Sequence, residues 1–198
     1  GVKYLISNGG IADAVIVFGY PAAPVAGQPP RISAFILDTR QPGFEAEELT
    51  AKMGMPSANT AMFEMRNAEV PVENLLGKEG DGFRVAMGTL VAGRLSVASG
   101  CVGVIEDCLD ETVGYAKERQ QHGKPIAKHQ LVQEHIAHIE MDRVASDAIV
   151  MKAAAAKDAS AASPDDPELA RQADLLAAQA KLFASNAAWD AADRAVQI

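Results

Sequence analysis

Arg94 stands among apolar neighbours in "MGTLVAGRLSVASG", in line with Met87, Leu90, Val97 and Cys101 at spacings of three and four. A guanidinium on an apolar stripe needs a partner, because an unpaired buried charge costs several kcal/mol. Three partners fit the residue type: a carboxylate on a neighbouring helix, the phosphate or carboxylate of a ligand, or a catalytic acid that the arginine holds in place. A second set lies in "RQQHGKPIAKHQ", from Arg119 to Gln130. Gly123 permits a positive φ there, and Pro125 stops the preceding helix. Arg119 can cap the last carbonyls of that helix. Together with Gln130 and the first amides of the next helix, it can instead hold a phosphate.

The remaining candidates point away from other chemistries. All the histidines lie between His122 and His138. His135 and His138 are one helical turn apart, but no cysteine or compact carboxylate group completes a metal site. No glycine-rich phosphate loop of the G-x-G-x-x-G or G-x-x-x-x-G-K type is present. No Ser-His-Asp triad can be argued from spacing. Cys101 and Cys108 would lie about 10 Å apart along a helix, too far for a disulfide. They read as buried reduced thiols of a cytoplasmic protein.

Positioning these residues falls to two stretches with different periods. Up to about residue 80 the chain reads as strands: "KYLIS" (3–7), "DAVIVFGY" (13–20), "RISAFILD" (31–38) and "TAMFEMRNAEV" (60–70). Gly-Gly, Pro-Pro and Pro-Gly breaks separate them. "RISAFILD" carries apolar residues on both faces, which predicts a well-buried strand. From Gly82 the period becomes helical, with Phe83, Met87, Leu90, Arg94, Val97, Cys101, Val104 and Cys108 on one stripe. Helices are expected near 82–119, 127–158 and 167–198, with no strand after residue 82. Asp166 suits the N-cap of the last helix, Pro167 its first turn and Glu168 its positive end. The division falls into a partial β-domain, 1–78, and a helical domain, 79–198.

The bulk properties narrow the partners. The net charge of −8 argues against nucleic acid, which calls for a basic patch. Uninterrupted apolar runs fall short of a membrane span, so no membrane partner is expected. The first residues, "GVKYLISNGG", lack the charged-then-apolar order of a signal peptide. The chain starts on a strand, and "DRAVQI" ends it with no helix stop signal, which predicts a piece of a longer protein.

Taken in order, the motifs resemble those of the flavin-dependent acyl-CoA dehydrogenase family. "KYLISNGGIADAVIVFG" is similar to that family's K-x-W/F-I-T/S-N-G strand and the A-D-x-x-x-V strand after it. "AKMGMPSANTAMFEMRNAEVPVENLLGKEGDGFRVAM" is similar to its K-x-G-x-x-x-S-x-T strand pair, V-P-x-x-N-x-L-G turn and G-x-G-F helix start. "AGRLSVASGCVGV", "YAKERQQHGKPIAKHQLVQ" and "AKLFASNAAWDAADRAVQI" follow in the family order. The resemblance implies an α+β fold: the second part of an antiparallel β-domain, then most of an up-down bundle of long helices.

It also implies the site. Arg119 takes the place of an arginine that reaches the FAD pyrophosphate of a neighbouring subunit, and Gln130 that of a glutamine beside the same cofactor. Ser7 matches a hydroxyl residue at the flavin N5 edge. Leu5 matches an aromatic position that shields the ring, and His122 replaces the usual Phe of the turn. Gln197 matches a glutamine that touches the neighbour's FAD. Arg94 matches an arginine beside the substrate thioester, while Val91 stands where many relatives bind the pantetheine arm with Asp or Asn. Gly93 stands where some members carry the catalytic base, so no catalytic base lies in this chain and a glutamate beyond Ile198 is expected. The implied activity is α,β-dehydrogenation of an acyl-CoA in fatty-acid metabolism, by a cytoplasmic homotetramer that passes electrons to an electron-transfer flavoprotein. Alternatives on the same fold are an acyl-CoA oxidase, a flavin monooxygenase, or a non-catalytic helical assembly module.

Overall fold

The computed structural model describes residues 1–21, 27 and 31–198. The Pro29-Pro30 break predicted from sequence lies outside the described residues. β-Branched and aromatic residues draw out the first strands. β1 (Val2–Ser7) pairs antiparallel with β5 (Thr60–Met65), and β5 with β4 (Phe44–Glu48). β2 (Ala14–Gly19) pairs antiparallel with β3 (Ser33–Asp38), from Ala14 opposite Asp38 to Gly19 opposite Ser33. β6 (Leu75–Leu76) closes that second three-stranded sheet on β3. Ser33, Ala34 and Leu37 are buried on β3, as its two-sided apolar pattern predicts, although Ile36 is exposed.

β4 was not legible as a strand. Its sequence, "FEAEE", keeps Phe44 half-buried against the Phe63 ring, with centroids 4.9 Å apart. The glutamates face solvent on a sheet edge, where charge discourages pairing with another chain.

The chain divides into two units, Gly1–Met87 and Gly88–Ile198. The division falls inside α1 (Gly82–Glu118), which is followed by α2 (Gln130–Ala162) and α3 (Pro167–Gln197). Asp166 caps α3 as its sequence predicts: its Oδ1 accepts from the amides of Glu168 at 2.9 Å and Leu169 at 3.2 Å.

The core of the helical unit is built from small side chains. Ala98 and Val102 of α1 meet Val150 and Ala153 of α2 and Leu176, Ala180 and Ala184 of α3. Nearer the turn between α1 and α2, Ile105 and Ile139 meet Ala187, Ala188 and Ala191. Arg143 ties α2 to α1, reaching Glu140 at 2.7 Å and Glu106 at 3.8 Å.

This core corrects the apolar stripe expected for α1. The buried positions with apolar side chains are Val91, Ala98, Val102, Ile105 and Ala116, whereas Phe83, Met87, Leu90, Val97 and Val104 are exposed. The larger side chains mark a second face, because close helix packing selects alanine over bulk. Cys101 and Cys108 are accordingly half-buried free thiols. With two apolar faces, α1 is long and apolar enough to cross a membrane by length and composition. Reading uninterrupted runs alone does not show this.

Between α1 and α2 the chain forms a minimal hairpin: β7 (Gln120–Gln121) pairs antiparallel with β8 (Lys124–Pro125). This corrects the expectation of no strand after residue 82. His122 and Gly123 both have positive φ, 51° and 74°, the backbone of a two-residue turn that matches strand twist.

Candidate functional site

In the β unit, the decisive feature is a bulge. Lys3 lies opposite Phe63 and Ile6 opposite Ala61, so Tyr4 and Leu5 share the space facing Met62 alone. Leu5 has φ 58°, a left-handed conformation that is uncommon for a leucine. The bulge turns both side chains outward, leaving Tyr4 59% and Leu5 65% exposed. Bulges of this kind re-aim side chains and recur beside functional sites.

Two residues on, Ser7 is exposed. An apolar cleft of about 560 Å³ lies beside it, lined by Ile6, Ala14, Val15, Phe18 and Phe63 among others. Lys3 crosses this region to donate to the Phe18 carbonyl at 3.1 Å, tying β1 to β2. Outward apolar side chains next to an exposed hydroxyl suit a flat aromatic ring with one polar edge.

In the helical unit, the backbone of the turn is pinned, and the Lys124 ammonium donates to the Lys128 carbonyl at 3.4 Å. The Arg119 amide donates to the Tyr115 carbonyl at 2.9 Å, and the Arg119 carbonyl accepts from Ile126 at 2.8 Å. Arg119 is exposed. The N-cap of α2 is His129, and its side chain makes no capping bond. Among the described residues, the amides of Gln130 and Leu131 meet no acceptor. A cavity of about 480 Å³ is lined by Lys124, Lys128, His129, Gln130 and Leu131.

That lining holds cations, ring nitrogens and free helix-start amides, and no carboxylate. The chemistry of this donor set fits an anion such as a pyrophosphate. Of the residues expected from sequence, Gln130 lines this cavity, while Arg119 and His122 lie on the same turn outside it; Lys124, Lys128 and His129 were not among the expected residues. The signal was present in "GKPIAKHQ", two lysines within seven residues of a helix start.

His122 is exposed, and its ring meets that of His129 edge-on, with centroids 6.0 Å apart. Gln197, also exposed, is the last residue of α3. The α3 terminus lies beside the last turns of α1, where Thr112 and Tyr115 line a cavity of about 450 Å³ with Ala195, Val196 and Ile198. Gln197 therefore comes to the same end of the helical unit as Arg119.

Arg94 lies midway along the outward apolar face of α1 and is half-buried. Among the described residues it has no hydrogen bond or ion pair; the acidic groups of the neighbouring helices that form ion pairs go to Arg143 and Arg171. An interhelical salt bridge, one of the three partners considered from sequence, is not formed.

Comparison with known proteins gives the family and the fold. The family model described as acyl-CoA dehydrogenase, C-terminal domain, matches residues 80–198. An acyl-CoA dehydrogenase of Bacillus subtilis (strain 168) is 40% identical over 198 residues, covering 100% of this chain and 49% of the relative. The structure of butyryl-CoA dehydrogenase from Megasphaera elsdenii superposes with a TM-score of 0.84 at 37% identity, covering 100% of this chain and 48% of that one. A prolyl acyl carrier protein oxidase, AnaB, superposes with a TM-score of 0.85 at 27% identity, over 100% of this chain and 49% of that one. The chain thus spans about half the length of the curated relatives it matches. The family model covers more than half of the chain, and the helices it spans carry the turn and the arginines described above: the chain belongs to the acyl-CoA dehydrogenase family.

Proposed function

We propose that the intact protein is an FAD-dependent enzyme that introduces an α,β double bond into an acyl-CoA thioester. The observation that carries this reading is the cation-bearing cavity at the start of α2, lined by Lys124, Lys128, His129, Gln130 and Leu131 on the turn that follows Arg119. It offers cations and free amides to a diphosphate and sets no carboxylate against it.

FAD, when bound, supplies the acceptor for the substrate's β-hydride. The chain's own residues do the rest. Arg119, with the α2 amides, neutralises the pyrophosphate, while Gln130 and Gln197 offer amide groups and His122 a ring to the same cofactor. Leu5, held outward by its bulge, covers the ring and keeps water from it. Ser7 donates its hydroxyl at the polar edge. Arg94, with its planar fork unpaired, faces the thioester and its acid. Gly93 has no side chain to take the α-proton, so that proton goes to a glutamate beyond Ile198 in the intact chain. In this reading the protein is a cytoplasmic homotetramer in fatty-acid metabolism, with cofactor contacts shared between subunits and an electron-transfer flavoprotein as acceptor.

A second reading, an oxidase, is favoured by the likeness to the prolyl acyl carrier protein oxidase. One experiment addresses both. The full-length protein is purified, its flavin spectrum recorded, and acyl-CoA thioesters of graded chain length are added without oxygen. Bleaching of the flavin absorbance supports dehydrogenation. A colourless protein, or flavin that no thioester bleaches, refutes it. Rapid recolouring on admitting air, with peroxide formed, favours the oxidase.

A further inference from the structure

We propose that Asn59 is a positioning residue for Ser7, latching the turn that ends β1 so that the Ser7 hydroxyl keeps the direction its flavin contact needs. The proposal rests on the reading of Ser7 given above.

β1 ends in "SNGG", and the chain must reverse there at once. Asn8 does so with φ 59°, in the left-handed region. Such a residue persists only where its surroundings hold it. Here one residue supplies the hold from two sides. The Asn8 amide donates to the Asn59 main-chain carbonyl at 2.9 Å. The Gly10 amide donates to the Asn59 side-chain Oδ1 at 3.0 Å. The fit is tight: a Cβ on Gly10 would lie 3.1 Å from Asn59 Nδ2 and 3.2 Å from Oδ1.

Asn59 is itself held in place. The Lys52 ammonium donates to the Ala58 carbonyl and, at 3.2 Å, to Thr60 Oγ1. Thr60 is the register partner of Ser7 on β5. Ser7 therefore stands between its ladder partner and the latched turn. Among the described residues its hydroxyl has no hydrogen bond, so the backbone fixes where its Cβ stands and which staggered positions the hydroxyl can take. Without Oδ1, the Gly10 amide loses its acceptor, and of the two bonds from Asn59 only the main-chain one to Asn8 remains beside the turn's own backbone bonds. Aspartate keeps an oxygen in the same place, and alanine does not.

The test uses the full-length, flavin-loaded protein and reads the absorption spectrum and reduction midpoint of the bound flavin. Ser7→Ala is expected to shift both. Asn59→Ala should shift them in the same direction, and Asn59→Asp should return wild-type values. In the double variant the shift should equal that of Ser7→Ala alone, because Asn59 acts through Ser7. Additive shifts, or a wild-type midpoint in Asn59→Ala beside a shifted Ser7→Ala, overturn the proposal and leave the Ser7 reading standing. No shift in Ser7→Ala removes both. Should Asn59→Ala fail to fold, Gly10→Ala crowds the same latch with Asn59 present. A shift matching Ser7→Ala then supports the proposal, and a wild-type midpoint overturns it.

Discussion

Gly82 lies against the backbone of Ser33: a Cβ there would stand 2.6 Å from the Ser33 carbonyl carbon. The Gly82 amide donates to the Ile32 carbonyl at 2.8 Å, and the Gly80 amide to Ser33 Oγ at 2.9 Å. Gly80 itself has φ 90°. The G-x-G-F helix start is therefore a docking joint between the first turn of α1 and the beginning of β3. Gly82→Ala is expected to destabilise the folded protein by about 1–3 kcal/mol, because the neighbour is backbone and cannot swing aside. Denaturant unfolding of the full-length protein checks this, and an unchanged midpoint would refute it.

The α3 cap makes a smaller, cleaner prediction. Asp166 accepts two amides that would otherwise be unpaired. Asp166→Ala should cost about 1 kcal/mol, and Asp166→Asn most of that less. Urea midpoints of the two variants give the comparison; equal losses would mean that charge rather than acceptance matters.

Two neighbouring acids on α2 should respond to pH with opposite sign. Glu140 accepts from Arg143 at 2.7 and 2.8 Å, and that hydrogen bonding holds its carboxyl below the usual range. Its stabilisation is present above the unfolded glutamate value of about 4.3 and is lost as pH falls through the lower folded value. Asp142 is pushed up by burial and then by Asp190, against the pull of Arg194 and His138. Its contribution is full below the unfolded value of about 3.9 and is lost as pH rises through the folded value. At pH 7, Glu140→Gln should melt below wild type and Asp142→Asn above it; toward acid pH the Asp142 gap should close first and the Glu140 gap should narrow. Melting curves from pH 7 toward acid decide, and the reverse order would contradict the assignment.

Arg119→Ala should weaken flavin retention by about 1.5–3 kcal/mol, the worth of a hydrogen bond to a charged group. The helix should survive, since only the backbone of Arg119 is used in the turn. Flavin release during dialysis of the full-length protein measures this. Unchanged retention would leave Arg119 as a surface cation.

Arg94→Lys should keep the flavin and lose most thioester-dependent bleaching, because lysine lacks the fork that holds two acceptors at once. Anaerobic titration with acyl-CoA is the check. Normal bleaching would remove Arg94 from the substrate site, and loss of flavin would make it a cofactor residue.

The sequence shows most of the frame and less of the site's shape. Asp166, Pro167 and Glu168 marked the start of α3 because capping is local chemistry. The three helices fall close to the expected ranges for the same reason: glycine, proline and period are read over a few residues. The bulge at Leu5 left no trace, since no residue type announces a left-handed leucine and only its pairing with β5 imposes one. The stripe on α1 misled because bulk was taken for burial. In this unit the closest contacts belong to alanine, and Phe83 and Leu90 face outward. Asn59 was equally silent: "PSANT" reads as an ordinary polar loop until the turn after β1 is laid against it.

The alanine-lined core of the helical unit also limits how this sequence can drift. A core of leucine and isoleucine varies by trading methyl groups between neighbours, one side chain shrinking as another grows. Ala98, Ala153, Ala180 and Ala184 have only a methyl to trade. Shortening them leads to glycine, which loosens the helix, and lengthening them wedges two helices apart. Neutral variation is thereby driven outward, onto the faces that this packing leaves uncovered.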